Sequence, residues 1–326
     1  MKTPVMVMGL PGKMATEAAR KIVPSVDFEL WPYSLTGPKD KERTANIEGV
    51  KVHLYSPAQK ICFSANSGFP ANGLVVDFTL GHATYDNVML YCKNDWPFVM
   101  GTTKIDISAL EEMVRNSGIS AVIASNLAIP IVSLQAFMEK FAQDNAGFMK
   151  WHSLRVQESH QAGKPDTSGT AIAMIKYFRT LGIDFKEESI HKIRDPAVQR
   201  QLGVPEEHLK GHGWHKYTIR APTFEETASL SEFIAKLNSD FFSSNPALRE
   251  YETMQEHPYA RAISPDKTVF LELHDAADDE AILTHNINGR SVYAEGTLDA
   301  LRFLRKKVQS GERGQVHSMI DVLHLL

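Results

Sequence analysis

Cysteine is scarce in this chain: Cys62 and Cys92 are the two among 326 residues. Two thiols are too few for a disulfide framework and lack metal-ligand spacing, so both are expected to be buried thiols in a reducing compartment. Long apolar runs are missing as well. No stretch approaches the ~20 residues of a membrane span, and the N-terminus enters a strand-like segment rather than a secretory leader. Neither sign of charge is in marked excess, since 35 Lys and Arg against 39 Asp and Glu leave a net −4. That balance gives no electrostatic case for nucleic acid or an anionic membrane. Of the thirteen histidines, none form a His-x-x-x-His pair on a clear helix beside a catalytic Glu. The tightest pair, His212-Gly-Trp-His215, is explained by strand packing more simply than by a metal. What remains is ordinary globular composition, with 43% hydrophobic and 23% charged residues. We therefore expect a metal-free cytoplasmic protein with room for two domains.

Pro4-Val-Met-Val-Met8 reads as a strand buried on both faces. A glycine turn, Gly9-Leu-Pro-Gly-Lys-Met-Ala15, follows, and Thr16 to Val23 has helical character. Strand, glycine turn and helix open a dinucleotide-binding βαβ unit, in which glycines let a pyrophosphate approach backbone N–H groups. The G-x-x-G spacing, with Ala15 where a third glycine often lies, makes the motif imperfect. The next strand is expected over Phe28 to Ser34. Glu29 lies near its start, the wrong end for a ribose-binding acid. Its exit instead carries Ser34 and Thr36, followed by Lys39, Lys41 and Arg43. Hydroxyls and cations without a carboxylate suit a 2′-phosphate, which favours NADPH with NADH as the alternative.

Further strands are expected at Val50 to Leu54, Gly73 to Thr79, Pro97 to Thr103 and Ala121 to Asn126. Helices over Asp86 to Lys93 and Ser108 to Asn116 separate the later ones. This rhythm predicts an α/β fold, a doubly wound parallel sheet of Rossmann-like type. Ligands of such sheets lie beyond the C-terminal strand ends, so Gly9, Thr79, Gly101, Thr102, Thr103, Ala124, Ser125, Asn126 and Leu127 should face one crevice.

A helix from Pro130 to Asp144 leads into a second α+β domain with an open mixed sheet. Its focus is Glu158 to Thr170, lying between a strand over Trp151 to Gln157 and a helix over Ala171 to Phe178. Within thirteen residues stand His160, Lys164 and a Ser168-Gly169-Thr170 turn at a helix N-terminus. The turn suits an anion, and the imidazole and ammonium can supply a proton and a fixed charge. Simple helix capping by Ser168 or Thr170 is the plainer reading, but a His and a Lys immediately before the turn favour a site. Strands at 214–220, 268–273 and 281–287 are expected to form an antiparallel sheet. An insertion near 222–263 is centred on an amphipathic helix, Glu225 to Phe242, whose Leu230, Phe233, Ile234 and Leu237 have helical spacing. A helix from Gly296 to Arg305 would return to the first domain. The domains are thus 1–128 with 289–326, and 129–288.

The Glu158 to Thr170 pattern, together with Gly9 to Ala15, Asp77-Phe-Thr79, Gly101-Thr-Thr103, Ser125-Asn126 and Thr284-His285 through Gly296, resembles the 4-hydroxy-tetrahydrodipicolinate (dihydrodipicolinate) reductases, in their plant-type branch. The resemblance implies that His160 and Lys164 are catalytic. It implies that Gln161, Ser168, Gly169, Thr170 and Thr103 meet the substrate. Gly9, Leu10, Pro11, Gly12, Lys13 and Met14 would contact the cofactor with the strand tips above. Two departures stand out: Gln161 replaces the second histidine of the usual pair, and the turn between Lys164 and Ser168 is one residue short.

The expected activity is NAD(P)H-dependent reduction of a cyclic imine-dicarboxylate with loss of water, in the diaminopimelate route to lysine. The rivals are another NAD(P)-dependent amino-acid or imine oxidoreductase and a non-catalytic dinucleotide-binding paralogue. Expected partners are a small dicarboxylate substrate and copies of the same chain, as a dimer or tetramer, because an open sheet edge is usually paired. A plastid stroma replaces the cytoplasm if the chain is a processed plant-type form.

Overall fold

The structure is a computed structural model that describes residues 1–37, 43–79, 81–101, 106–222, 227–256, 259–277 and 279–324. The chain divides into two compact units, Met1–Ala128 with Tyr293–Leu326, and Ile129–Val292. The first unit opens with β1 (Thr3–Met8), α1 (Lys13–Ile22), β2 (Phe28–Leu30), β3 (Tyr33–Leu35), β4 (Thr44–Ile47) and β5 (Val50–Tyr55). It continues with α2 (Lys60–Ser67), β6 (Leu74–Asp77), α3 (Gly81–Lys93), β7 (Phe98–Met100), α4 (Ile107–Ser117) and β8 (Ala121–Ile123). The second unit holds α5 (Ile129–Asp144), β9 (Ser153–His160), α6 (Gly169–Thr180), β10 (His191–Ile193), α7 (Pro196–Gln201) and β11 (His212–Arg220). Then come α8 (Thr227–Lys236), β12 (Glu252–Glu256), β13 (Tyr259–Ile263), β14 (Val269–Ala277) and β15 (Glu280–Asn288). The chain returns through α9 (Ser291–Gln309), β16 (Val316–His317) and α10 (Met319–Leu323).

In the first unit six strands form a parallel sheet in the order β16-β8-β7-β6-β1-β2. Its central strands are continuously apolar because helices cover both faces of such a sheet, and every residue of β1 is buried. The return helix α9 is tied down by charge. Arg302 Nε and Arg305 Nη2 each reach the Asp27 carboxylate at 3.0 Å, and their bonds hold its pKa below the usual value.

Where one strand over Phe28 to Ser34 was expected, the chain makes two. Pro32 has no N–H to continue the ladder. β2 therefore stays beside β1, while β3 joins a separate three-stranded sheet in the order β3-β5-β4. Cys62, expected to be buried, is exposed on α2, and Cys92 is half-buried with its thiol pKa raised by burial.

The second unit is built on a seven-stranded sheet, β10-β9-β11-β15-β14-β13-β12. It is antiparallel except where β10 runs parallel to β9. The insertion's helix α8 buries Leu230, Phe233 and Ile234 and runs into a π-helical turn, Leu237–Ser243, that buries Phe241 and Phe242. Residues 223–226, including the expected start at Glu225, lie outside the described residues. The insertion also supplies β12 and β13, which the sequence pattern did not announce. The inward positions of β13 are Ala260 and Ala262, both fully buried, and alanine carries little hydrophobic signal.

Gly9 ends β1 with φ +97°, and a Cβ there would sit 3.0 Å from the Phe78 carbonyl oxygen. Both the left-handed backbone and the close approach of the β6 exit require glycine. Gly9→Ala should destabilise the first unit by about 1–3 kcal/mol, measured as a lower denaturant midpoint with an unchanged slope.

Candidate active site

The first unit carries a cavity of about 540 Å³ at the C-terminal ends of its strands. One wall is the glycine loop, with Gly9, Pro11 and Gly12. Gly12 is the N-cap of α1 and has no side chain, so no side chain caps the helix. That leaves the positive end of α1 suited to a phosphate. A second wall is Leu35, Thr36 and Gly37 at the end of β3, and a third is Phe78, Thr79, Asp86 and Asn87. Pro57 and Lys60 complete the rim from the segment after β5.

The Thr79 tip is held by a buried carboxylate. Asp77 accepts the Thr79 N–H at 2.6 Å, the Tyr91 hydroxyl at 2.6 Å and the Asn87 amide at 3.2 Å. Burial and then the charge of Asp77 push the Tyr91 hydroxyl well above its ordinary pKa, so it stays a donor. Gly101 is needed on packing grounds, because a Cβ there would meet the Phe78 ring at 2.3 Å.

Several expected cofactor contacts lie off this cavity wall. Ser34 is fully buried, accepting the Leu10 N–H at 3.3 Å and donating to the Leu35 carbonyl at 3.1 Å. It shapes the glycine loop from behind and does not line the cavity. Leu10 is buried and Lys13 is exposed, and neither they nor Met14 appear on the cavity wall. Ala124 and Leu127 are buried, while Asn126 turns its side-chain oxygen to the Ala128 N–H at 2.9 Å. Ser125 is exposed beside them. Thr102, Thr103, Lys39 and Lys41 lie outside the described residues, and Arg43 bonds Gln59 at 3.1 Å.

The polar centre of the second unit is a knot around Glu158. This carboxylate is fully buried in β9 and accepts Arg194 Nη2 at 2.5 Å and the Ser168 N–H at 2.9 Å. Ser168 is thus the N-cap of α6 without its hydroxyl capping the helix, contrary to the plainer reading of the motif. Lys164 pairs with Asp166 at 3.0 Å, and its N–H closes the turn on the Gln161 carbonyl at 3.0 Å. The space at Gly169 is open: a Cβ would meet no described atom within 4 Å. An incoming carboxylate can therefore approach the α6 N-terminus closely.

His160 ends β9 with its Nδ1–H donated to the His212 carbonyl at 3.1 Å. That fixes the tautomer and leaves Nε2 as a buried lone pair with no partner among the described residues. Desolvation lowers its pKa to about 4 against the opposing charge of Glu158, with Lys164 and Arg194 lowering it further. Pairing of β11 with β9 and β15 sets His215 opposite both Glu158 and His285. The His215 ring lies 5.2 Å from that of His160 and 4.5 Å from that of His285. Burial lowers both, His285 to about 3. His212 stands beside them: its Nδ1–H donates to the His208 carbonyl at 3.1 Å, so its Nε2 accepts from the Ser159 hydroxyl at 2.8 Å. The His212 and His215 pair thus packs in its strand, as expected, and also stands against the His160 ring. Glu158, His160 and His215 bring three metal-ligand atoms within 4.8 Å of one another. The donor set suits a metal poorly, because both Glu158 oxygens are already engaged, one of them by a guanidinium.

Arg194, His215 and His285 were not picked out as site residues from sequence. They lie 34 to 125 residues from His160 in the chain, and only strand pairing joins them to it.

A family model described as dihydrodipicolinate reductase, N-terminus, matches residues 3–127. A protein of Arabidopsis thaliana named 4-hydroxy-tetrahydrodipicolinate reductase 2, chloroplastic, is 34% identical over 322 residues, covering 98% of this chain and 76% of its own. A probable 4-hydroxy-tetrahydrodipicolinate reductase 2, chloroplastic, of Oryza sativa subsp. japonica is 33% identical over 323 residues, 98% of this chain and 82% of its own. Among solved structures, the dipicolinate-bound dihydrodipicolinate reductase from Paenisporosarcina sp. TG-14 aligns with a TM-score of 0.52 at 16% identity over 98% of both chains. That structural likeness concerns the fold.

The buried histidines set a pH dependence. Their folded pKa values lie below the unfolded 6.5, so between that value and about 4 the unfolded chain binds protons that the folded chain refuses. Stability should fall as pH drops through this window, by up to about 1.4 kcal/mol per pH unit for each such histidine. Urea unfolding at stepped pH measures the slope, and His285→Gln should make it shallower.

Proposed function

This chain belongs to the dihydrodipicolinate reductase family, and from that premise we propose how its residues divide the work of the reaction. It is an NAD(P)H-dependent oxidoreductase that converts 4-hydroxy-tetrahydrodipicolinate to tetrahydrodipicolinate and water, in the diaminopimelate route to lysine. The observation that carries the assignment of roles is the clustering of His160, Lys164 and the α6 N-terminus around Glu158 and Arg194. When bound, the nicotinamide supplies a hydride to C4 of the substrate. The departing 4-hydroxyl needs a proton to leave as water, and Lys164 delivers it. His160 is unsuited to that task in the resting state, because its lowered pKa keeps it neutral at working pH. It serves instead as a hydrogen-bond acceptor through Nε2. The substrate carboxylates are held by the first turn of α6, at Gly169 and Thr170, and by the Lys164 charge, with Gln161 offering an amide. In place of the second histidine that Gln161 lacks, His215 brings an imidazole beside His160 from β11.

The cofactor is placed in the first unit's cavity, its pyrophosphate at the glycine loop and its adenosine ribose near Thr36. NADPH is favoured over NADH by two observations. The end of β3 carries Leu35, Thr36 and Gly37, without an acid for a ribose diol, and Lys60 lines the same cavity. Asp86 on the opposite wall is the group that would favour NADH. Assembly as a dimer or tetramer is proposed from the open edges of the seven-stranded sheet. No helix among the described residues is long and apolar enough to cross a membrane. The cytoplasm is proposed as the compartment, with the plastid stroma the alternative that the chloroplastic relatives suggest.

Oxidation of NADPH on addition of freshly generated hydroxy-tetrahydrodipicolinate tests the activity in this chain; tight cofactor binding without turnover would favour a non-catalytic paralogue. Lys164→Ala should lower kcat by ~10²–10⁴-fold, the usual range for loss of a positioned proton donor, while NADPH affinity stays as in the wild type. Lys60→Ala should raise KM for NADPH by about tenfold, the scale of one charge-assisted hydrogen bond. KM for NADH should not move, and a parallel rise in both would remove Lys60 from the cofactor assignment.

A further inference from the structure

Arg194 lies outside every motif, immediately after β10, and its guanidinium spans five oxygens. Nε donates to the Lys164 carbonyl at 3.0 Å, and Nη1 to the carbonyls of Ile193 at 3.1 Å and Glu158 at 3.4 Å. Nη2 donates to the Glu158 carboxylate at 2.5 Å and to the Asp166 carbonyl at 3.2 Å. The carbonyls of Lys164 and Asp166 flank Pro165, so one rigid plane grips the turn on both sides of its proline. The carboxylate on the same guanidinium also holds the Ser168 N–H, at the start of α6. Every group assigned to proton delivery or anion binding in this turn is therefore referred to one side chain.

We propose that Arg194 is a positioning residue, which sets the turn from which the Lys164 ammonium and the N-terminus of α6 address the substrate. The proposal rests on the reductase reading and on Lys164 as its proton donor. The fork geometry is what the position demands. Lysine keeps the charge for Glu158 but offers its three donors from a single atom, and so cannot bridge carbonyls two residues apart as well. Gln199 supports the same arrangement from α7, donating to the His160 carbonyl at 2.7 Å and the Ile193 carbonyl at 3.4 Å. β9, β10 and the following helix are thereby locked together behind the turn.

The test compares the full-length wild type with Arg194→Lys, Arg194→Ala and Glu158→Gln, using NADPH and hydroxy-tetrahydrodipicolinate. A misplacement of about 1 Å typically costs ~10²-fold in rate, and a kcat loss of that order is expected for Arg194→Lys with NADPH affinity unchanged. The solvent deuterium isotope effect on kcat should grow, because proton delivery becomes the slower step. Glu158→Gln keeps the carbonyl bonds of Arg194 and should lose less than Arg194→Ala. A merely structural role would reduce the fraction of active molecules and leave the isotope effect as in the wild type, which overturns the proposal. So does an Arg194→Lys variant with wild-type kcat. If Arg194→Ala does not fold, Arg194→Lys decides alone. Absence of turnover in the wild type itself overturns the reductase reading, and the proposal with it, before any Arg194 variant is compared.

Discussion

The ion pair between Glu158 and Arg194 is the constraint on which the second unit's polar centre depends. A fully buried carboxylate is costly to desolvate, and such a pair often adds little stability compared with an apolar replacement. Its value lies in direction. Glu158 has one oxygen on the guanidinium and the other on the first backbone N–H of the turn into α6. Arg194 in turn takes the carbonyls that a tight, proline-containing turn leaves without partners inside secondary structure. Removing Arg194 would strand the Glu158 charge where water cannot reach it, while the guanidinium itself keeps a partly exposed edge.

A second buried carboxylate plays the same part in the first unit, by different means. Asp77 has no guanidinium; it is held by a backbone N–H, a phenol and an amide. Three neutral donors suffice because the end of β6 gathers them from the next turn and from α3. Glycines do the complementary work of removing bulk. Gly9 lets the β1 exit lie against the β6 exit, and Gly101 leaves room for the Phe78 ring. The strand tips are thus shaped by what they lack as much as by what they carry.

The periodic parts of this fold were legible in the sequence. Apolar runs such as Val5 to Met8 and Val75 to Val76, each followed by a polar tip, mark a parallel sheet because burial on both faces leaves no other pattern. Glu158 to Thr170 was legible because its residues are adjacent in the chain. Pro32 was visible, yet its effect depended on whether the ladder needed its N–H, and that is decided by the neighbouring strand. β13 was hidden because Ala260 and Ala262 bury a face with almost no hydrophobic contrast. Arg194, His215 and His285 were out of reach for a different reason. Their places in the site follow from the register of β9 with β10 and of β11 with β15, and a single sequence carries no record of register.

The register also explains why the imidazoles of this unit resist protonation. His160, His215 and His285 are brought side by side in a sheet that excludes water, and one positive charge among them would be felt by the other two. Lys164 and Arg194 add two cations against the charge of Glu158, while Asp166 pairs with Lys164 at the margin. Desolvation outweighs the Glu158 charge that opposes it, and the imidazoles stay neutral. Gln161 fits that arrangement. An amide beside His160 can bind a polar substrate without adding a further group that competes for the proton. A second histidine there would have joined an already crowded set of neutral imidazoles. The substitution that looks like a loss in the motif is therefore consistent with a site whose imidazoles come from the neighbouring strands.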